Sequence, residues 1–212
     1  TQMLDRALDI GASFDIIKKT VASASGEMTL YYIDGLIKDE TLFKLIQHFY
    51  AVKLKGCSAE EFLVKHVPYV ESELCSSPKS GVRAVMSGAC LLLGESFGAE
   101  AIVIDARTYP ARPTSEPETD KVLQGAHDGF VETLIFNTAL IRRRIRDPKL
   151  MMHYMSVGTR SKTDVVVCYI EDKADPKYVA TLKQKIASID AEALTMGMQS
   201  LIECLVKSRW YN

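Results

Sequence analysis

Apolar positions recur along this chain with two different periods, and the periods mark its elements. Leu4, Ala7 and Leu8 fall at helical spacing and are followed by Gly11, which predicts a short opening helix. Residues 15–23 fit a strand or a helix equally well. Residues 28–33 (MTLYYI) are aromatic and β-branched, and Asp34-Gly35 follows, so a strand ending in a turn is predicted. Leu42, Leu45, Ile46, Phe49 and Val52 return to helical spacing, with Asp39 placed to cap the helix and Gly56 to close it. Ser58 and Glu61 form a capping box for a further helix to about His66, ahead of Pro68. Residues 82–87 read as a helical segment or a turn. Residues 89–94 (ACLLLG) and 101–106 (AIVIDA) read as buried strands, close enough in sequence to form a hairpin.

The second half begins with an irregular stretch, 109–128. It carries Pro110, Pro113 and Pro117 with Glu116, Glu118 and Asp120, and little apolar material beyond Val122 and Leu123. A loop of this length is usually functional or a linker. A helix is predicted over 130–146, with Phe130, Leu134, Ile141 and Ile145 on one face, and Asp147-Pro148 ends it. Strands follow over 151–157 and 164–171. Asp175-Pro176 opens a helix with the stripe Val179, Leu182, Ile186 and Ile189, and a last helix over 198–207 turns Leu201, Ile202 and Leu205 inward. The alternation of helices with hairpins predicts an α/β protein of two small mixed α/β lobes, mixed sheets flanked by helices. The lobes are expected at 1–108 and 129–212, joined by the acidic, proline-rich loop 109–128.

Composition adds limits rather than a function. The 212 residues are 47% hydrophobic and 25% charged, which suits a folded domain. A formal net charge of -1 gives no pull toward nucleic acid. Cys57, Cys75, Cys90, Cys168 and Cys204 form no C-x-x-C pair, and Cys90 and Cys168 lie in apolar runs, so reduced cysteines and a cytosolic setting are expected. The longest clean apolar run, residues 165–170, is far short of a membrane span. The chain is therefore expected to be soluble, with any membrane segment of a longer parent beyond Asn212.

Few residues carry chemistry. Gly94-Glu95-Ser96-Phe97-Gly98 matches the hydrolase pattern G-x-S-x-G, which works only as strand, sharp turn and helix. The apolar residues after Gly98 favour a second strand, so the glycines read as a hairpin turn and Ser96 hydrolase chemistry is the lesser alternative. His48, His66, His127 and His153 are dispersed, and no metal or cofactor is expected. Arg142, Arg143, Arg144 and Arg146 cluster at the end of the 130–146 helix, where they complement its dipole. Helical geometry puts Arg144 near the Ile141/Ile145 face, where a guanidinium must find a carboxylate or a phosphate-like anion. An ion-pair hinge with the acidic loop is preferred over an anion site. Asn137, on the apolar face of the same helix, needs hydrogen-bond partners. The candidate ligand or inter-lobe set is Arg107, Glu116, Glu118, Asp128, Asn137, Arg142, Arg143, Arg144, Arg146 and Asp147.

Three segments taken together resemble one family: Tyr31-Tyr32-Ile33-Asp34-Gly35-Leu36, then Glu116-Pro117-Glu118 with Asp128-Gly129-Phe130-Val131-Glu132, and above all TLIFNTALIRRRIRDP over 133–148. In order and spacing they resemble the A subunits of GerA-type spore germinant receptors, over nearly the whole chain. His127 stands where the family usually has a basic residue, and the segment before Asp34 is variable. The resemblance implies the hydrophilic N-terminal region of a subunit in the spore inner membrane, on the cytoplasmic side. It implies assembly with receptor B and C subunits and a response to a small germinant such as an amino acid, sugar or nucleoside. It implies no catalytic residues. The expected function is sensing and signalling, with a non-binding docking scaffold as the alternative.

Overall fold

A computed structural model of the chain describes residues 1–23, 26–52, 56–69, 71–108, 129–194 and 198–206. Chain contacts divide it into two compact units, Thr1–Pro148 and Lys149–Asn212.

The first unit is built on a five-stranded sheet ordered β1-β2-β4-β5-β3, with every pair antiparallel. The strands are β1 (Ile16–Ser23), β2 (Gly26–Ile33), β3 (Ser72–Cys75), β4 (Cys90–Gly94) and β5 (Ala101–Ile104). Side chains alternate between the two faces of a strand. Met28, Leu30, Cys90, Leu92, Ile102 and Ile104 accordingly point one way, onto α2 (Asp39–Ala51) and α3 (Ala59–His66) through Leu45, Phe49 and Phe62. Tyr31, Ile33, Leu91 and Val103 point the other way, onto α1 (Gln2–Ala7), α4 (Pro78–Met86) and α5 (Leu134–Arg144). Both faces are covered, which explains why β4 and β5 read as unbroken apolar runs instead of alternating ones.

The second unit pairs β6 (Leu150–Val157) with β7 (Thr163–Ile170) as an antiparallel hairpin, with α6 (Pro176–Ala187) and α7 (Met198–Leu205). Its core is small: Val157, Ile186, Leu194 and Leu201, with Met155, Val165, Val167, Leu182, Ile189 and Leu205 partly buried around them.

The α/β class, with sheets flanked by helices, is as the sequence predicts. The helix starts follow their signals closely. The Ser58 hydroxyl accepts the Glu61 N–H at 3.2 Å, and Asp175 accepts the Lys177 N–H at 2.8 Å ahead of Pro176. The Glu61 carboxylate turns outward to Lys65, 2.6 Å away, instead of closing the capping box. Lys38, not Asp39, is the N-cap of α2, and α2 ends at Ala51, before Gly56.

Other expectations need correction. Of residues 15–23, Ile16–Ser23 resolve as strand, and β3, which no sequence signal marked, forms the sheet edge beyond β5. Ile202 is 51% exposed, not inward. The first compact unit runs to Pro148 and includes α5, which packs on the first sheet through Ala139. The loop 109–128 lies outside the described residues. Among those described, no helix is long and apolar enough to cross a membrane.

Candidate functional site: the buried arginine of helix α5

Helix α5 packs with few large apolar groups. Its buried residues are Thr138, Ala139, Leu140 and Arg142, while Ile145 is 40% exposed and Phe130, ahead of the helix, 67%. The buried face is thus the small-residue face. Close approach is possible because Gly35, in the turn after β2, sits under the helix. A Cβ there would lie 2.9 Å from Ile135 Cγ2 and 3.1 Å from Ala139 Cβ. The backbone at Gly35 also has φ +79°, a region that suits glycine.

Arg142 lies three and four positions beyond Ala139 and Thr138, on that same face, and is 0% exposed. Its guanidinium Nε donates to Asp15 Oδ2 at 2.7 Å, and Nη2 donates to Asp15 Oδ1 at 2.9 Å. This is the fork-on-fork pairing that suits arginine and carboxylate. Nη2 also donates to the Ser13 hydroxyl oxygen at 3.2 Å, and Ser13 in turn donates to Asp15 at 2.5 Å. Nη1 donates to the Asp147 carbonyl at 2.9 Å. One side chain therefore joins three segments: the approach to β1, the end of α5 and the residues just before the second unit. Asp15 and Ser13 are themselves buried, and the Asp15 carbonyl accepts the Asp34 N–H at 2.8 Å.

Asp34 stands beside this cluster. Burial pushes its carboxyl above the ordinary value, and the neighbouring Asp39 and Asp15 carboxylates add to the rise. At the far side of β1 and β2, Asp5 accepts from Lys18 at 2.8 Å and from the Tyr31 hydroxyl at 2.7 Å. Burial pushes the Asp5 carboxyl up, but these two partners outweigh it and hold it below its ordinary value. Tyr31, fully buried, is pushed up by burial and by Asp5.

The remaining sequence candidates separate. Arg144 and Arg146 are exposed, and Arg143 is half-buried. The inward arginine is thus Arg142, and the expectation for Arg144 is corrected: the helix turns its small residues, not Ile141 and Ile145, to the sheet. Arg146 Nε donates to the Arg143 carbonyl at 3.2 Å. The Asn137 amide accepts from the Val131 N–H and donates to the Val131 carbonyl, both at 2.7 Å, a structural contact that satisfies the backbone ahead of α5. Arg107 is elsewhere, after β5, where it forks onto Asp105 and draws that carboxyl below its ordinary value. Glu116, Glu118 and Asp128 lie outside the described residues.

Arg107 and Asp105, with Glu71, Glu73 and Ser87, rim an open groove of about 470 Å³ floored by Ala84, Ala89 and Val103. Among the described residues, no group of three or more His, Cys, Asp or Glu side chains could hold a metal ion. Ser96 sits in a one-turn 3-10 helix between β4 and β5 and donates to the Cys57 carbonyl at 2.8 Å, so the strand–turn–helix of a nucleophile elbow is not built there. Cys90 is fully buried and burial pushes its thiol up to about 12, as befits core filling, whereas Cys168 is exposed rather than interior. Sequence reasoning missed Ser13 and Asp15; a buried Asp–Arg pair 127 positions apart leaves no local pattern.

Known proteins are similar to this chain in sequence and in architecture. The sequence model of the family described as Bacillus/Clostridium GerA spore germination protein matches residues 2–212. Stage V sporulation protein AF of Bacillus subtilis (strain 168) is 38% identical over 208 residues, covering 95% of this chain and 41% of that protein. Spore germination protein B1 of the same organism is 28% identical over 213 residues, covering 92% and 44%. The chain thus spans about two fifths of the length of these curated relatives. The crystal structure of the N-terminal domain of the A subunit of the Bacillus megaterium spore germinant receptor GerK3 superposes with a TM-score of 0.63 at 17% identity. That match covers 100% of this chain and 79% of that one, and it shows a shared fold. Ordered motifs, matched sequence and shared fold agree: the chain belongs to the GerA spore germination protein family.

Proposed function

We propose that this domain is the sensing and signalling part of a longer GerA-family subunit, taking up a small germinant or a partner contact and passing the change to the rest of the protein. The observation that carries this reading is the family match over residues 2–212. The groove beside Arg107 is compatible with this reading. It falls within the roughly 300–1,000 Å³ typical of ligand sites, and it combines a small apolar floor with charges of both signs. Glu116, Glu118 and Asp128 keep their proposed role as ligand contacts or partners for the α5 arginines. Receptor B and C subunits, and a parent protein in the spore inner membrane, belong to the same proposal.

Calorimetric titration with candidate amino acids, sugars and nucleosides tests it. Binding heat that disappears in Arg107→Ala supports sensing at the groove. No heat from any of them leaves a docking scaffold for partner subunits as the reading. The 38% identity to Stage V sporulation protein AF favours a second reading within the family, that the full-length protein is a counterpart of that protein. Co-purification of the full-length protein with its partners separates the two.

A further inference from the structure

We infer that Arg142 is a transmission latch: it couples the approach to β1 to the segment leading into the second unit, a role separable from its contribution to stability. The inference rests on the signalling role proposed above and names the part that would carry it.

Three observations lead to it. First, the partners of Arg142 are distributed in a way that a merely stabilising pair would not require. Asp15 and Ser13 precede β1, while the Asp147 carbonyl lies one residue before the division between units at Pro148. Second, this network is part of what docks α5. Arg142 is the largest side chain the helix buries, beside Thr138, Ala139 and Leu140. An element docked through one buried, directional bond network can have two discrete arrangements, latched and released. Third, a buried ion pair is a poor choice for stability alone. Well-packed apolar residues of similar volume often do as well or better, because two charges must be stripped of water. The bidentate fork gives something an apolar contact cannot. It fixes the rotation of α5 about its axis and simultaneously holds a backbone carbonyl beyond the helix end.

That third point supplies the test. Asp15→Leu combined with Arg142→Met replaces the charges with packing and removes the fork. In the full-length protein this double variant should keep the melting temperature of the wild type within a few degrees. Hydrogen exchange at residues 145–147 should rise at least tenfold while β2, β4 and β5 stay protected. Spores carrying it should lose their germination response. A double variant of normal stability whose spores respond as the wild type does, or whose exchange at 145–147 is unchanged, overturns the latch. If the double variant does not fold, Arg142→Lys carries the test. Lysine keeps a charge opposite Asp15 but cannot fork onto it and reach the Asp147 carbonyl as well. A folded Arg142→Lys protein without response supports the latch, and one with full response overturns it. The functional reading fails on a different result, spores that germinate normally when the whole protein is deleted.

Discussion

Asp34 and Asp5 show how single carboxylates report on this fold, because their shifts have opposite signs. Asp34 has a folded value above the ordinary 3.8, from burial first and then from Asp39 and Asp15. Between 3.8 and that raised value the folded state holds the proton that the unfolded chain has already lost. Stability must therefore fall as pH rises through that window, and stay lowered at neutral pH. Asp34→Asn removes the penalty. Melting curves from about pH 3 to 7 should show the variant gaining on the wild type as pH climbs, with no gain below 3.8. Asp5 and Asp105 act in the other direction. Each has a folded value below 3.8, so the stability they contribute is present above 3.8 and lost as pH falls through the lower folded value. Asp5→Asn and Asp105→Asn should therefore flatten the acid limb of the same curve. The identity of the inward arginine was the residue-level point that sequence misjudged. A helical wheel centred on Ile141 and Ile145 puts Arg144 inside. The usable signal was Thr138-Ala139, since small residues mark the face where a helix comes close to its neighbour.

Among elements, α5 and the turn after β2 form the most sequence-sensitive contact. Gly35→Ala asks for a left-handed conformation and drives a methyl group to 2.9 Å from Ile135 Cγ2 and 3.2 Å from the Ile135 carbonyl oxygen. Costs of about 1–3 kcal/mol are usual for each kind of strain. Chemical unfolding should show their sum, a loss of about 2–6 kcal/mol. Adding Ile135→Ala should recover part of it, by removing the side-chain clash and leaving the backbone strain. Two of the segments that resemble the family, 31–36 and 133–148, thus meet in space, where Gly35 approaches Ile135 and Ala139. Most elements were legible. The β4–β5 hairpin, the β6–β7 hairpin and the cap at Asp175 each have a local cause, a short turn or a capping side chain. Strand β3 was not legible, because four residues (SELC) give no periodicity, and its strand geometry comes from pairing Ser72–Cys75 with β5. The start of α5 at Leu134 rather than Phe130 was hidden too. It depends on the Asn137 amide holding Val131 outside the helix.

For the whole molecule, the sequence pattern predicts two parts, and the contacts divide the chain into two. The first of them runs to Pro148, and the packing of α5 within it depends on distant residues that no local pattern marks. Among the described residues, the first unit has apolar clusters on both faces of its sheet and the second has one small cluster. A domain with its own core can fold alone, and small domains are marginal. A chain ending at Pro148 should therefore fold cooperatively, with dispersed amide resonances and a single melting transition. A disordered spectrum would show that the first unit needs the second.

The most direct test of the central claim, that Arg142 and Asp15 together pin α5 to the first sheet, is a double-mutant cycle read by urea unfolding. Arg142→Met and Asp15→Leu alone each leave a buried charge without its partner and should cost about 3–5 kcal/mol. Together they leave none, so the double variant should be far more stable than the sum of the two losses implies. Losses that simply add, within about 0.5 kcal/mol, would mean the two side chains do not interact, and would contradict the account.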